Sequence, residues 1–353
     1  MIATETIPVQ GGHGRWAALA IAALGVLVLT MALAVSTGEI SVPFGVIAKT
    51  LGNKIFGTAY TLDPIQEGII WNYRLSRTVV AACAGAALAL SGTILQALLR
   101  NPLAEPYVLG ISAGASTGAV AIVILGFGGG LLTLSGGAFL GALGAFGLVA
   151  LLASGSGGGT DRVVLSGIAG SQLFNALTAY IVTTSANAEQ ARGVMFWLLG
   201  SLSGANWADV GIAAPTALIG ALLCLFYARA LDAFAFGADA AASLGIPVQR
   251  VRIVLFALTA AMTAVMVSLV GSIGFVGLVV PHAMRFVVGP NHDRLLPASA
   301  VAGAVFMVLA DIVSRIIVPQ QVVPIGVVTA LVGAPSFAVI LTRAKRTERG
   351  RVA

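Results

Sequence analysis

The sequence predicts an all-α integral membrane protein with ten transmembrane helices, on three observations. Of its 353 residues, 58% are hydrophobic and only 9% charged. A water-soluble domain draws on roughly 25% charge, so the solvent for most of this chain is lipid. The apolar runs are long and lack the alternation of a membrane β-barrel, and several of the 44 glycines recur every three or four residues within them.

A helix crossing the hydrocarbon takes roughly 20 residues. The first fifteen residues hold His13 and Arg15, and the uncharged run 16–38 follows without a convincing small-residue cleavage site. It reads as an uncleaved first span. Arg77 and Arg100 bracket 22 uncharged residues, the second span, after an outer loop over 37–73. The 55 uncharged residues from Pro106 to Thr160 suffice for two helices with a turn near "GFGGG" (126–130). Residues 163–188 and 210–228 give the fifth and sixth spans. The run 253–284 is too long for one straight helix and too short for two, so the break "GSIG" (271–274) divides it into a full helix and a short one. Residues 295–314 and 316–342 complete ten.

Ten crossings put both termini on one side. With the N-terminus cytoplasmic, 13 of the 19 basic residues fall inside, among them Arg100, Arg162, Arg229, Arg285 and the tail 343–353. This agrees with the positive-inside rule. A re-entrant eighth helix would turn the basic tail outward, so parity favours a crossing.

Gly110, Gly114 and Gly118, and Gly137, Gly141, Gly144 and Gly147, provide small faces for close helix contact, or a hinge. Cys83 and Cys224 lie in apolar segments and read as small core hydrophobes. No G-x-x-x-x-G-K-[ST] occurs; "GSGGGTDR" (155–162) lacks the lysine that reaches phosphates. Ion coupling would show as charge near mid-span. Here Asp311 lies toward an outer helix end, four residues from Arg315, and the two could pair. His282, His292 and Asp293 form no metal motif. An embedded enzyme is thus disfavoured, and an energy source must come from a partner chain.

The motifs "RNPLAEPYVLGISAGAS" (100–116), "FWLLGSLSGANW" (196–207), "GSIGFVGLVVPHAMRFVVGPNHDRLLPASA" (271–300) and "PIGVVTALVGAPSFAVIL" (324–341) resemble the signatures of the FecCD permeases. These are the membrane subunits of bacterial type II ABC importers for ferric siderophores, haem and cobalamin. The resemblance runs from about residue 15 to 345. It implies one ten-helix permease domain over 1–353, a FecCD/cobalamin-permease-like bundle in the bacterial inner membrane. It also implies a second permease copy or paralogue, two cytoplasmic ABC ATPase subunits that use ATP and Mg, and a periplasmic or lipid-anchored binding protein. This chain itself would bind no cofactor, metal or nucleic acid.

The resemblance also assigns residues. Arg74 and Arg77 of "RLSR", with Arg315, would receive acidic side chains of the binding protein; Ser76 stands where many relatives carry Pro. Asn101, Pro102 and Leu103, with the turn Gly159, Thr160 and Asp161, would form the cytoplasmic gate. The inside loop 231–250 resembles the coupling segment, with Gly237, Ala241, Ala242, Leu244 and Gly245 at the ATPase. Gln172, Asn175 and Thr178 are polar candidates for the cavity wall, or for interhelical hydrogen bonds. Substrate delivered from outside would cross by alternating access, a ferric siderophore foremost, with haem or cobalamin as alternatives. An ion-coupled carrier and a non-transporting scaffold are the readings from other classes.

Overall fold

A computed structural model of the chain describes residues 12–38, 42–154 and 160–352. Fifteen α-helices account for most of them. Apart from an isolated bridge between Val318 and Gln321, the described residues form no β-structure.

Helix α1 (Gly12–Ser36) is the first apolar run, followed by α2 (Phe44–Phe56), which ends at the left-handed Gly57. Asp63 caps the short α3 (Pro64–Gly68) by accepting from the Ile65 N–H. A π-helical turn over Ile69–Leu75 then joins α3 to α4 (Ser76–Leu98). Helical structure therefore runs unbroken over 35 residues, Pro64–Leu98. The expected outer loop over 37–73 is thus largely helical. The Ser76 hydroxyl bonds the Asn72 carbonyl (2.7 Å) where the wide turn ends.

The chain then doubles back. A single 3₁₀ turn, Pro106–Leu109, leads through the left-handed Gly110 into α5 (Ile111–Val123). The glycine-rich turn follows, and Thr133 caps α6 (Leu134–Ala153). A Cβ on Gly118 would stand 2.1 Å from the Gly137 carbonyl oxygen, and one on Gly114 2.3 Å from that of Gly141. These glycines therefore serve contact between α5 and α6, whereas Gly144 and Gly147 face open space.

Next come α7 (Thr160–Ser185), α8 (Ala188–Leu198) and α9 (Trp207–Phe226), the last two opened by capping boxes at Asn187 and Asn206. Two short helices, α10 (Ala228–Phe234) and α11 (Ala238–Ser243), precede α12 (Val248–Val270). The backbone breaks at residues 271–275, at the "GSIG" motif, before α13 (Val276–Val288). The chain ends with α14 (His292–Ile316) and α15 (Ile325–Val352). The last span begins at Ile325 and not at 316, because Pro319 and Pro324 occupy the connection.

Among the described residues, six helices are long and apolar enough to cross a membrane, within Trp16–Ser36, Pro64–Leu98, Leu134–Ala153, Trp207–Phe226, Val248–Val270 and His292–Ile316. Three shorter apolar helices, Ile111–Val123, Val276–Val288 and Ile325–Val339, accompany them, as does α7. Helix α4 sits at the centre, against α9, α12, α13 and α14. Cβ atoms on Gly85 and Gly92 would stand 2.1 Å and 1.9 Å from the carbonyl oxygens of Gly303 and Gly277. Backbone contact this close is how helices gain dispersion energy where lipid removes the hydrophobic drive.

Candidate functional site

At the end of the bundle where α4 begins, three arginines cluster, two of them on one acid and the third on the end of α1. Arg77 is 2% exposed. Its Nε and Nη2 both lie 2.7 Å from Asp311 Oδ1, and Arg315 Nε lies 3.2 Å from Oδ2. Arg315 also donates to the Thr37 and Ala34 carbonyls (2.7 and 2.9 Å). Arg74, 7% exposed, donates to those of Val35 and Ser36 (3.0 and 3.2 Å). The last turn of α1, whose carbonyls lack helical partners, is thus capped by two guanidiniums. Sequence reasoning expected Arg74, Arg77 and Arg315 to receive acidic side chains of a binding protein. The structure turns all three arginines inward, Arg77 and Arg315 to Asp311 and Arg74 to α1. The anticipated Asp311–Arg315 contact is present, joined by Arg77 from 234 residues away.

At the opposite end of α4, residues 99–105 form a short folded loop. The Asn101 side chain accepts from the Leu103 N–H (2.9 Å), an Asx-turn that fixes Pro102 at the surface. Leu103 is 48% exposed. Arg100 adopts φ 47°, and its guanidinium approaches Gly237, so this loop meets the 231–250 segment. Thr160 opens α7 and Asp161 lies exposed in its first turn, while Gly159 falls outside the described residues. Gly167 of α7 abuts the Val108 carbonyl, which ties α7 to the 3₁₀ turn beyond the loop.

Gly237 (φ 105°) and Gly245 (φ 80°) bracket α11, in backbone conformations that favour glycine. Ala241 is buried, whereas Ala242, Leu244 and Gly245 are exposed. Phe236 is 81% exposed and Leu244 72%, so two large apolar side chains stand out on a connecting segment. Sequence reasoning missed Phe236 because it concentrated on the alanine run. The signal was an aromatic directly before a glycine in a polar-side loop.

Of the three α7 candidates, Asn175 and Thr178 line a concavity of about 520 Å³ together with Ser112, Ser116, Thr183 and Ser272. Gln172 is exposed on the same helix but outside it. Thr178 is buried, and its hydroxyl pairs with that of Thr117 (2.8 Å), which donates to the Phe174 carbonyl (2.8 Å). Thr178 therefore bonds between helices as well as lining the wall.

Three of the quoted motifs meet beside this concavity through their backbones. Ser201 N–H donates to the Val270 carbonyl, and those of Ile325 and Gly326 donate to Gly200 and Leu199 (2.9, 3.0 and 3.0 Å). Irregular backbone inside a membrane must find partners in protein, and these segments supply one another's. Cβ atoms on Gly271 and Gly326 would stand 2.3 Å from the Trp197 and 2.2 Å from the Leu199 oxygen, so only glycine fits. Ser112 donates to Ser272 at 2.8 Å below the break. Glu105, in the loop between α4 and the 3₁₀ turn, is held above the usual carboxylate range by burial, opposed by a bond from the Phe275 N–H. Gln96 was also missed: its amide donates to the Gly277 and Leu278 carbonyls (3.1 and 3.3 Å) and accepts from Arg285. Nothing in its local sequence marks it, since its partners lie in α13.

No group of three potential metal ligands occurs among the described residues. What the arrangement offers is a buried ionic lock at one end, a polar concavity between, and an apolar protruding segment at the other.

The profile of the FecCD transport family matches residues 26–343. The cobalamin import permease BtuC of Halobacterium salinarum is 39% identical over 337 residues, covering 92% of this chain and 88% of that protein. The Fe(3+) dicitrate permease FecD of Escherichia coli is 38% identical over 275 residues, 78% of this chain and 85% of the relative. A metal-chelate type ABC transporter solved in an inward-facing conformation superposes with a TM-score of 0.81 at 31% identity, covering 93% of this chain and 99% of its own.

Proposed function

The chain belongs to the FecCD transport family, and from that premise we propose that this multi-pass ABC importer permease moves an iron chelate, a ferric siderophore foremost, into the cytoplasm. The observation that carries the reading is the match over nearly the whole chain, with iron dicitrate and metal-chelate transporters among its relatives. The concavity on α7, where hydroxyls and the Asn175 carboxamide stand among the apolar Ala113, Ala179, Val182 and Leu198, supports it. Polar groups without fixed charge offer weak contacts along a path, and a path works only if substrate is released as readily as it enters.

Alternating access is driven from outside the chain, by two ATPase subunits that use ATP and Mg. Two permease copies face each other across the path, and a binding protein delivers the chelate. Both termini, the loop Asn101–Leu103 and the segment 231–250 lie on the cytoplasmic side. There Phe236, Ala242, Leu244 and Gly245 give the ATPase an apolar knob, and Gly237 and Ala241 shape it. Asn101, Pro102 and Leu103, with Gly159, Thr160 and Asp161, narrow the inner exit. At the outer end the arginine cluster draws acidic groups of the binding protein, while Arg74, Arg77 and Arg315 themselves hold α1, α4 and α14.

The test is uptake into proteoliposomes holding the permease with its ATPase and binding protein. ATP-dependent entry of a ferric siderophore in preference to haem and cobalamin is expected. Preference for cobalamin would replace the iron reading within the same architecture, and uptake driven by an ion gradient without ATP would remove the importer reading altogether.

A further inference from the structure

The N-terminus of α14 is capped by another element. Asn291 precedes the helix, but its side chain makes no capping bond. Instead the Asp232 carboxylate of α10 accepts the His292 backbone N–H at 2.9 Å and lies 2.6 Å from the same residue's Nδ1. One carboxylate oxygen thus satisfies an orphan N–H of the helix and fixes the imidazole, with its proton on Nδ1 toward Asp232. His292 is 5% exposed, and its Nε2 has no partner.

Both sides of this contact are firmly anchored. Ala228, Leu231, Ala233 and Phe234 bury α10, three residues before the mostly exposed Gly237–Gly245 segment begins. Helix α14 has 25 residues, about 37 Å at 1.5 Å each. It is pressed to α4 by the reciprocal Gly85–Gly303 approach. At its far end Asp311 holds Arg77 and Arg315, and through them α1. Helix α14 is fixed to the coupling segment at one end and to the arginine lock at the other, so it carries displacement between them, with Pro297 inside the helix on the way.

We propose that Asp232 and His292 form the strut through which the coupling segment drives α14, so that ATPase closure reaches the arginine end of the bundle as well as the gate. The strut rests on the importer reading above, with both residues in a positioning role. The gate loop contacts the same segment at Gly237, whereas the strut leaves it at α10, so the two outputs separate before they reach the path.

The experiment uses the full complex in proteoliposomes and reads chelate imported per ATP hydrolysed, a ratio that the amount of folded protein does not change. Asp232→Ala and His292→Ala should each lower the ratio by about fivefold or more, with the ATPase co-purifying at wild-type stoichiometry. The double variant should be no worse than Asp232→Ala, which already removes both the backbone and the ring contact of residue 292. His292→Asn, whose side-chain amide still donates toward Asp232, should retain most of the coupling, and it stands in should the alanine variants assemble poorly. Unchanged ratios in assembled single variants, or losses that multiply in the double variant, would overturn the strut. A wild-type complex without ATP-driven uptake would overturn the importer reading and the strut with it; an active wild type with fully coupled variants would overturn the strut alone.

Discussion

Helices α4 and α7 have similar lengths, and both carry polar residues among apolar ones. Along α4 nearly every side chain from Thr78 to Gln96 is buried, and two of its glycines touch the backbone of α14 and α13. Along α7, Leu165, Ile168, Leu173, Leu177 and Tyr180 are exposed, with Gln172 and Asn175 between them. One helix has spent its surface inside the chain, and the other has left it for lipid, a second copy or a passing substrate. The difference separates what holds the permease together from what it works with: substitutions along α4 should act on stability, and those on the open face of α7 on transport.

The largest expected effect comes from closing the tightest approach. Gly92→Val places methyl groups where a bare Cβ already overlaps the Gly277 carbonyl, and should cost at least about 3 kcal/mol. Loss of monodisperse protein in size-exclusion chromatography checks this. Gly144→Ala, with nothing within 4 Å, is the control and should stay within about 0.5 kcal/mol. Second comes Asp311→Ala, which strands the buried Arg77 cation and should cost about 3–5 kcal/mol in thermal denaturation, with Asp311→Asn costing less. The smallest effect is on α7 itself. Thr178→Val, which removes the bond to Thr117, should cost about 0.6 kcal/mol, while Asn175→Ala leaves stability alone and alters the uptake rate. A large stability loss from Asn175→Ala would break the division between the two helices.

Much of the fold was legible because lipid imposes a simple rule on a sequence. Charge-free runs of set length must be helices, and breaks such as "GSIG" and "GFGGG" show as glycine clusters within them. The π-helical turn at Ile69–Leu75 and the helix α2 were not legible, since neither short apolar stretch meets the length expected of a span. The arginines were visible as outliers on the poorly basic side, but where their guanidiniums point depends on Asp311 in a distant helix. In the same way "FWLLGSLSG" and "PIGVV" stood out as motifs, yet Gly200 and Gly326 are required by a backbone junction that exists only after three segments meet. Periodicity reports which face of a helix is small or apolar; it carries no information about which other helix will come to that face.

The Arg77–Asp311 contact has a consequence for biosynthesis. The two residues are separated by 234 positions, which at a synthesis rate of about 5–20 residues per second is roughly 10–50 s. If α4 inserts as it is made, its arginine lacks the Asp311 carboxylate throughout that interval, and the side chain is expected to reach toward the headgroups. Only when α14 follows can Arg77 withdraw into the bundle and α4 settle to its final depth. The centre of the mature protein is therefore among the last parts of it to be finished, and a chain truncated before Asp311 should leave the first helices inserted but unlocked.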